Sequence, residues 1–347
     1  RDPATGRALA FGDPFVVQWH LTDRCNLACL HCYRSGPVRK DLQAHGRRQV
    51  LAEILRFVQG RRWPARLHLA GGEPFLCDDL LELMQCAFAH GIPSRILSNG
   101  TVIDPRVARQ LRGAGCLGVQ VSIEGPEPVH DGIRGKGSFR AALEGVRVLR
   151  DAGVSTTLSM TVHAGNVAHV AAVGRLARDH ADRVYFSRLV PCGRGAELGG
   201  TLGRDPWWEV MRTARSLATS LGIEVALRDP NFRAWFASAR HARHSGAVAG
   251  CAAGHWTLTV EADGTVMPCR RIGVGIGQVL DDGLERIWTQ SEVLAGLRDR
   301  DRLQGQCGRC DYRWVCGGCR AIALAMGNGL DGEDPQCPWT LTRVWEA

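Results

Sequence analysis

The chain has 347 residues, of which 45% are apolar and 22% charged, the composition of an ordinary globular protein long enough for one large domain and a smaller one. It contains no run of about 18 apolar residues, so a membrane-spanning helix is excluded. The formal net charge of +8 comes almost entirely from arginines without a basic block, which argues against nucleic-acid binding and leaves a weak preference for an acidic substrate.

The first half of the chain predicts a repeating α/β fold. Residues 1–14 form a polar extension without the apolar core of a secretory signal, so we expect a cytoplasmic protein. Over residues 15–195, strand-like runs alternate with amphipathic helical stretches, and each interval is long enough for a right-handed crossover. The pattern predicts a partial (β/α)6 TIM-like barrel of parallel strands. The predicted strands are Val16–Thr22, Arg66–Ala70, Ser94–Ser98, Leu117–Ile123, Thr156–Val162 and Val184–Leu189, and the predicted helices are Arg48–Gln59, Asp79–His90, Pro105–Gly113, Phe139–Ala152 and Val167–His180.

The second half predicts two smaller parts. Residues 196–250 are expected to form a helical bridge, and residues 251–347 a small cysteine-rich domain. Small regions with little regular structure usually need covalent or metal staples, and metal clusters would provide them here. The predicted elements are the helices Trp207–Leu221 and Asn231–His244 and the strands Trp256–Glu261 and Thr265–Met267.

Fourteen cysteines is a high number for this length. Ten of them fall into two groups near the ends of the chain, a distribution that favours metal sites over a disulfide framework in a reducing compartment. The other four, Cys77, Cys86, Cys116 and Cys192, are scattered through the middle.

The first group is Cys25, Cys29 and Cys32, a C-x3-C-x2-C run directly after the first predicted strand. Three thiolates this close can hold three irons of a cubane cluster and leave the fourth iron open to a small molecule. A zinc site would more often use four ligands in two pairs, and a disulfide would leave one thiol odd. The run resembles the cluster motif of the radical S-adenosylmethionine (SAM) superfamily, in which an aromatic residue such as Tyr33 commonly follows the third cysteine.

Polar and glycine-containing segments follow the next predicted strands, where parallel barrels place their chemistry. Residues 71–74, Gly-Gly-Glu-Pro, resemble the segment that holds the amino group of SAM, since glycine allows close backbone approach and a carboxylate accepts from an ammonium group. Later strand ends offer groups for the ribose, carboxylate and adenine of SAM, with turn chemistry or a solvated loop as the alternative. The candidate SAM contacts are Tyr33, Gly71, Gly72, Glu73, Pro74, Ser98, Asn99, Ser122, Glu124, Arg134 and Leu189.

The second group of cysteines resembles the SPASM domain, a seven-cysteine module that carries two auxiliary iron–sulfur clusters. A structural zinc site is the alternative, since tetrathiolate zinc spacing is similar. The resemblance assigns Cys251, Cys269 and Cys319 to the first auxiliary cluster, and it assigns Cys307, Cys310, Cys316 and Cys337 to the second.

This chain departs from the usual SPASM pattern in two places. Cys316 and Cys319 form a C-x2-C pair where C-x3-C is usual, and the extra cysteine that some relatives carry shortly after the first one is missing. The first auxiliary cluster then has three cysteines and either an open iron or a fourth ligand. Cys192 is a candidate for that ligand or for an active-site thiol, and a spare buried cysteine is the alternative.

The residue after Cys269 bears on the reaction. Anaerobic sulfatase maturases place an acidic catalytic base there, whereas this chain has Arg270 and Arg271. The sulfatase-maturase reaction is therefore disfavoured, and Arg270 joins Cys192 as a candidate catalytic residue.

The resemblance, which covers about residues 15–339, implies reductive cleavage of SAM to a 5′-deoxyadenosyl radical that removes a substrate hydrogen atom. Its implied cofactors are SAM, the SAM-binding [4Fe–4S] cluster and two auxiliary clusters. Its implied partners are an electron donor such as flavodoxin or ferredoxin and a peptide substrate, presented by a separate leader-binding protein where one is needed; no nucleic acid and no membrane are expected.

Three functions remain open. Residues 122–131 and 134–139 are typical of the peptide-modifying branch, which forms C–C or thioether cross-links or related changes in ribosomally made peptides. Residues 316–323 and 333–337 resemble enzymes that oxidise or decarboxylate tetrapyrrole side chains in haem or haem d1 synthesis. A non-enzymatic zinc or cluster scaffold is the third, and the Gly-Gly-Glu-Pro segment over 71–74 counts against it.

Overall fold

The computed structural model describes residues 14–34, 40–227, 229–232 and 250–339. In these ranges ten strands form one sheet in the order β10-β9-β8-β1-β2-β3-β4-β5-β6-β7. The pairs from β8 to β7 are parallel, and the pairs that β9 forms with β8 and β10 are antiparallel. Because β10 and β7 lie at opposite ends of this order, the barrel stays partial. The strands are β1 (Phe15–His20), β2 (Ala65–Ala70), β3 (Ser94–Ser98), β4 (Cys116–Ser122), β5 (Thr156–Val162), β6 (Arg183–Arg188), β7 (Glu224–Leu227), β8 (Thr257–Val260), β9 (Thr265–Met267) and β10 (Gly277–Gln278).

Helices connect the parallel strands and cover one face of the sheet. Alternation along β1 puts Val17 and Trp19 into the hydrophobic core beneath the helices, so Gln18 and His20 lie on the opposite face. In the described ranges every helix is too short or too polar to cross a lipid bilayer. The helices of the barrel are α1 (Ala44–Gly60), α2 (Leu80–Ala89), α3 (Pro105–Leu111), α4 (Glu127–Arg134), α5 (Ser138–Asp151), α6 (Val170–His180) and α7 (Arg204–Ser220). Shorter helices follow at Val279–Asp282, Leu284–Gln290, Glu292–Arg298, Gly305–Arg309 and Arg320–Ala325.

The predicted α/β architecture is confirmed. All six predicted strands are present as β1 to β6, and the five predicted crossover helices correspond to α1, α2, α3, α5 and α6. The predicted helix over 207–221 is α7, which begins at Arg204. The predicted helix over 231–244 falls mostly on residues 233–249, which lie outside the described ranges.

The sequence analysis missed β10 and the short C-terminal helices, and it missed the strand β7 and the helix α4 in the first part of the chain. The strand β7 lies inside the stretch expected to be a helical bridge and extends the sheet beside β6. It has only four residues, too few for a clear alternation. The helix α4 was missed because its eight residues include Pro128 and Gly132, both poor helix formers.

The C-terminal segment is joined to the barrel through the sheet. Strand β8 pairs with β1 in parallel, with Val16 opposite Thr257 and Trp19 opposite Val260. Trp288 packs against Phe15 with ring centres 5.2 Å apart, so the C-terminal segment also contributes to the barrel's apolar core. The cysteine groups are thereby held at fixed places relative to the carboxyl ends of the barrel strands.

Candidate functional site

The three cysteines of the first group lie in the loop that follows β1, at the carboxyl ends of the parallel strands. Burial raises the pKa of the Cys25 thiol, and the neighbouring Cys29 and Cys32 thiols raise it further. The three thiols therefore lie close enough to interact. Side-chain nitrogens also approach the sulfurs, since Arg134 Nη1 lies 3.6 Å from Cys29 Sγ and Asn99 Nδ2 lies 4.0 Å from Cys25 Sγ.

The Gly-Gly-Glu-Pro segment is fixed against the cysteine loop through its backbone. The amide of Gly72 donates to the carbonyl of Thr22 at 2.8 Å, and the amide of Glu73 donates to the carbonyl of Arg24 at 2.8 Å. A Cβ added to Gly72 would lie 2.1 Å from the Arg24 oxygen. Only glycine permits this approach, so the two glycines set the distance between the segment and the cluster loop.

Glu73 is completely buried and joins the ends of β2 and β3. Its Oε1 accepts from the Ser98 hydroxyl at 2.8 Å and from the amide of Phe75 at 3.2 Å, and its Oε2 accepts from the amide of Asn99 at 2.7 Å. Burial raises the pKa of Glu73 to about 7, although these donors oppose the shift. A carboxylate has about four acceptor positions, and these three donors fill most of them, so Glu73 fixes the segment against the end of β3.

The structure brings Ser98 and Asn99 to the site, but local bonds occupy their side chains. Ser98 Oγ also accepts from the amide of Gly100 at 2.9 Å. Asn99 Oδ1 accepts from the amide of Thr101, and its Nδ2 donates to Asn26 Oδ1 at 2.9 Å. These contacts are the turn chemistry that the sequence left open as the alternative for this segment.

Glu124 is completely buried at the end of β4 and organises a charged network. Its Oε1 lies 3.0 Å from His31 Nε2 and accepts from Arg134 Nη2 at 2.6 Å, and its Oε2 accepts from the amide of Thr161 at 3.0 Å. Although burial opposes it, His31 and Arg134 hold the pKa of Glu124 well below its usual range. The Arg134 guanidinium thus lies between a buried carboxylate and Cys29, not in a solvated loop.

Ser122 and Leu189 lie on the same edge of the sheet, at the ends of β4 and β6. Ser122 is half-buried, whereas Leu189 is buried and its amide donates to the carbonyl of Val162 at 2.9 Å. His31 was missed by the sequence analysis, because its place inside the cysteine motif gives no sign of its pairing with Glu124.

A second buried network joins the cysteine loop, which follows β1 and carries Cys25, Cys29 and Cys32, to the C-terminal segment. His20 Nδ1 lies 3.0 Å from Glu261 Oε2, and His20 Nε2 lies 3.2 Å from the Tyr33 hydroxyl. Arg270 donates to Gln18 Oε1 at 2.6 Å, and its guanidinium lies 5.6 Å from the centre of the Tyr33 ring. The structure therefore brings the predicted residues Tyr33 and Arg270 together. The sequence analysis did not single out Gln18, His20 or Glu261. The available signal for the first two was that they are polar residues at alternate positions of the otherwise apolar β1.

Four cysteines of the C-terminal group line one cavity, which Tyr312 and Trp339 also line. Backbone and side-chain nitrogens point at two of the sulfurs. The amide of Asp334 lies 3.4 Å and Arg320 Nη2 3.7 Å from Cys307 Sγ, and the amide of Gly318 lies 3.3 Å from Cys316 Sγ. Hydrogen bonds of this kind are typical of iron–sulfur sites. The four cysteines are Cys307, Cys310, Cys316 and Cys337.

Four cysteine thiols around one cavity are a ligand set that fits an iron–sulfur cubane, in which each iron takes one thiolate. A zinc ion would instead need all four sulfurs about 2.3 Å from one point.

The remaining C-terminal cysteines form a separate group. Cys251, Cys269 and Cys319 pack together with Cys192 around a small apolar cluster that includes Ile322. The other scattered cysteines lie elsewhere: Cys77 Sγ donates to Asp79 Oδ1 at 3.0 Å, Cys86 is exposed on α2, and Cys116 begins β4. The seven C-terminal cysteines thus lie in two places, three of them near Cys192 and four around the cavity.

Comparison with known proteins agrees with this geometry. Residues 19–173 match the Radical SAM superfamily, and residues 251–311 match the SPASM iron–sulfur cluster-binding domain. An AdoMet-dependent heme synthase of Methanosarcina barkeri is 30% identical over 354 residues, which cover 93% of this chain and 96% of that protein. The mycofactocin maturase MftC of Mycolicibacterium smegmatis is 31% identical over 336 residues, which cover 93% of this chain and 82% of the relative.

Among solved structures, Streptococcus suis SuiB bound to precursor peptide SuiA has a TM-score of 0.74 with 13% identity, over 95% of this chain and 76% of SuiB. That likeness concerns the fold. The family follows from nearly full-length relatives with 30% identity or more, and its cofactors are SAM and iron–sulfur clusters. The chain is an enzyme of the radical SAM superfamily with a C-terminal SPASM iron–sulfur domain.

Proposed function

We propose that this enzyme oxidatively modifies a ribosomally made peptide, through a C–C or thioether cross-link or a related change. The observation that carries the radical chemistry is the meeting of three thiols with the Glu124–Arg134 pair at the carboxyl ends of the strands. The 31% identity to a mycofactocin maturase over most of the chain supports the peptide as substrate.

The first cysteine group holds the SAM-binding cluster in this proposal. When bound, SAM and its [4Fe–4S] cluster supply a 5′-deoxyadenosyl radical. Arg134 binds the SAM carboxylate while Glu124 holds the guanidinium in place. The Gly-Gly-Glu-Pro segment binds the SAM amino group, with Glu73 fixing its shape and the glycines keeping its backbone close to the cysteine loop. Burial of the surrounding side chains excludes water from the radical.

The SPASM cysteines hold two auxiliary clusters, which accept an electron from the substrate or bind it. Cys251, Cys269 and Cys319 belong to the first and the four cavity-lining cysteines to the second. Arg270 lies next to Tyr33 near the cluster loop, where its positive charge suits an acidic group of the substrate. A reducing cytoplasm and a flavodoxin or ferredoxin as electron donor complete the proposal.

Oxidation or decarboxylation of tetrapyrrole side chains is the second candidate. It is supported by the 30% identity to an AdoMet-dependent heme synthase, which spans 96% of that protein. A tetrapyrrole propionate and a peptide carboxylate are both anionic, so Arg270 suits either substrate.

An anaerobic assay separates the two candidates. The reconstituted enzyme, SAM and dithionite are incubated either with peptides encoded beside the gene or with iron tetrapyrroles that carry propionate groups, and products are followed by mass spectrometry. We expect a peptide to lose two hydrogen atoms, or carbon dioxide and two hydrogen atoms, in step with 5′-deoxyadenosine formation. Modification of the tetrapyrrole and of no peptide would replace the first candidate by the second.

A further inference from the structure

The thiol of Cys192 belongs with the cysteines of the first auxiliary cluster. Cys192, Cys251 and Cys269 pack, together with Cys319, around one small apolar cluster beneath the loop that follows β6. The four cysteines reach this place from distant parts of the chain. Four of the fourteen cysteines belong to neither predicted group, and of these Cys192 packs against this apolar cluster. The other three, Cys77, Cys86 and Cys116, lie elsewhere in the barrel.

The turn that carries Cys192 is fixed by close backbone packing. The amide of Cys192 donates to the carbonyl of Val190 at 2.8 Å, and the amide of Gly195 donates to the carbonyl of Cys32 at 3.3 Å. Gly193 has a φ of +59°, and a Cβ there would lie 2.5 Å from the carbonyl carbon of Tyr33. The loop after β6 is therefore packed closely against the loop that carries Cys32, and the backbone of Cys192 is held in place.

A buried cation lies beside the same four cysteines. Arg271 Nη1 donates to the carbonyl of Arg188 at 3.4 Å, whereas its Nε is buried and has no hydrogen-bond partner in the described part of the chain. Cys269, Cys319 and Cys192 all lie within electrostatic range of this guanidinium. Buried N–H groups are rarely left without an acceptor, and a cluster sulfur would supply one.

We propose that Cys192 supplies the fourth thiolate of the first auxiliary cluster, with Arg271 as a buried hydrogen-bond donor to it. The inference rests on the proposed cluster assignment. An oxidised cubane cluster with four thiolates carries two net negative charges, and Arg271 offsets part of that charge inside the protein. With every iron bound by cysteine, the first auxiliary cluster transfers electrons and does not bind substrate.

The first test looks by EPR for a three-iron cluster formed on oxidation. It uses a variant that lacks Cys25, Cys29 and Cys32, so that the SAM-binding cluster, which has an open iron, does not contribute. On this background, mild anaerobic oxidation of the reconstituted protein leaves both auxiliary clusters with four irons. Adding Cys192→Ala frees one iron, and we expect the EPR signal of about one three-iron cluster per chain. Adding Cys116→Ala, the matched control, produces no such signal. A three-iron signal with Cys192 intact, or none after Cys192→Ala, overturns the proposal.

A second test uses the otherwise unmodified holoenzyme. Iodoacetamide is added under anaerobic conditions, and the alkylation of each cysteine is read by peptide mass spectrometry. Ligation predicts that Cys192 is protected in the reconstituted protein and modified after the clusters are removed, whereas the exposed Cys86 reacts in both states. Equal modification of Cys192 in both states contradicts the proposal. Iron content at the level of one cluster would instead show that the auxiliary clusters are absent, which overturns the assignment on which the proposal rests.

Discussion

The guanidinium of Arg188, at the end of β6, lies 2.7 Å from the carboxylate of Asp334, near the end of the described chain. Both side chains are buried, and Arg188 also binds Asp229 at 2.6 Å. Asp334 contacts both auxiliary cysteine groups, because its amide lies 3.4 Å from Cys307 Sγ and its Oδ2 accepts from the amide of Cys319 at 3.0 Å. In addition to the pairing of β8 with β1, the ion pair of Arg188 with Asp334 therefore joins the barrel to the auxiliary sites.

Replacing Arg188 by methionine tests this connection. The change leaves Asp229 and Asp334 buried without their cation, and we expect the free energy of unfolding to fall by about 3–5 kcal/mol. Chemical denaturation followed by circular dichroism measures it. Arg147→Met, on the exposed surface of α5, is the control and leaves stability unchanged. Wild-type stability of Arg188→Met would show that the pair does not hold the two parts together.

Replacing Glu124 by glutamine tests the support of Arg134. The buried guanidinium loses its anionic partner and His31 loses its acceptor, so the group proposed to bind the SAM carboxylate is no longer fixed. We expect SAM affinity, measured by equilibrium dialysis, to fall about tenfold or more, a loss of at least ~1.4 kcal/mol. Glu144→Gln removes an exposed carboxylate on α5 as the control. Unchanged affinity in Glu124→Gln would remove Glu124 from the SAM site.

The contact between the glycine segment and the cysteine loop is tested by Gly72→Ala. A Cβ at this position would overlap the Arg24 oxygen at 2.1 Å, so the segment must move away from the loop. We expect cluster assembly at the first site and SAM cleavage both to be lost. Gly60→Ala, at the end of α1 with no atom within 4 Å of an added Cβ, is the matched control. A fully loaded and active Gly72→Ala variant would refute the close approach.

We expect the stability of the protein to depend on pH through His130. This side chain is buried, and burial, together with the nearby Arg134, lowers its pKa to about 4. The unfolded chain takes up the proton below about pH 6.5, whereas the folded chain does so only near its lowered pKa. The contribution of neutral His130 to the free energy of unfolding is therefore fully present above about pH 6.5 and is lost as the pH falls toward 4.

His130→Gln should flatten this dependence. Over the full interval His130 contributes on the order of 2–3 kcal/mol, of which the part between about pH 6.5 and pH 5 is measurable before the clusters decay. Urea unfolding at several pH values gives the slope. His90→Gln, with an exposed imidazole, is the control. An identical slope in wild type and His130→Gln would contradict the prediction.

The local patterns predicted most of the barrel, because strand alternation and helix periodicity are properties of neighbouring residues. They also located the thiols and the glycine segment at strand ends. They did not predict the pairing of His20 with Glu261, which are 241 positions apart, or the role of Glu124 as the partner of both His31 and Arg134. Such contacts depend on how distant elements pack. The sequence alone does not show which carboxylates are buried, or with which side chains they pair.

The strand pairing of β8 with β1 was missed for a related reason. A short strand was predicted at Trp256–Glu261 and is observed as Thr257–Val260, but its own residues do not specify a partner. The parallel register with Val16 to Trp19 is set by the tertiary structure. This pairing explains why Glu261 can reach His20 and why Arg270 can reach Gln18.

The measurement that tests the central claim most directly is iron and sulfide per chain after anaerobic reconstitution, in the wild type and in the variant in which Cys25, Cys29 and Cys32 are alanine. We expect about twelve irons to fall to about eight, with SAM cleavage abolished and the auxiliary clusters retained. About four irons falling to none, with zinc bound to the C-terminal cysteines, would contradict the assignment of auxiliary clusters to the SPASM cysteines. SAM cleavage retained in the triple variant would contradict the placement of the SAM cluster.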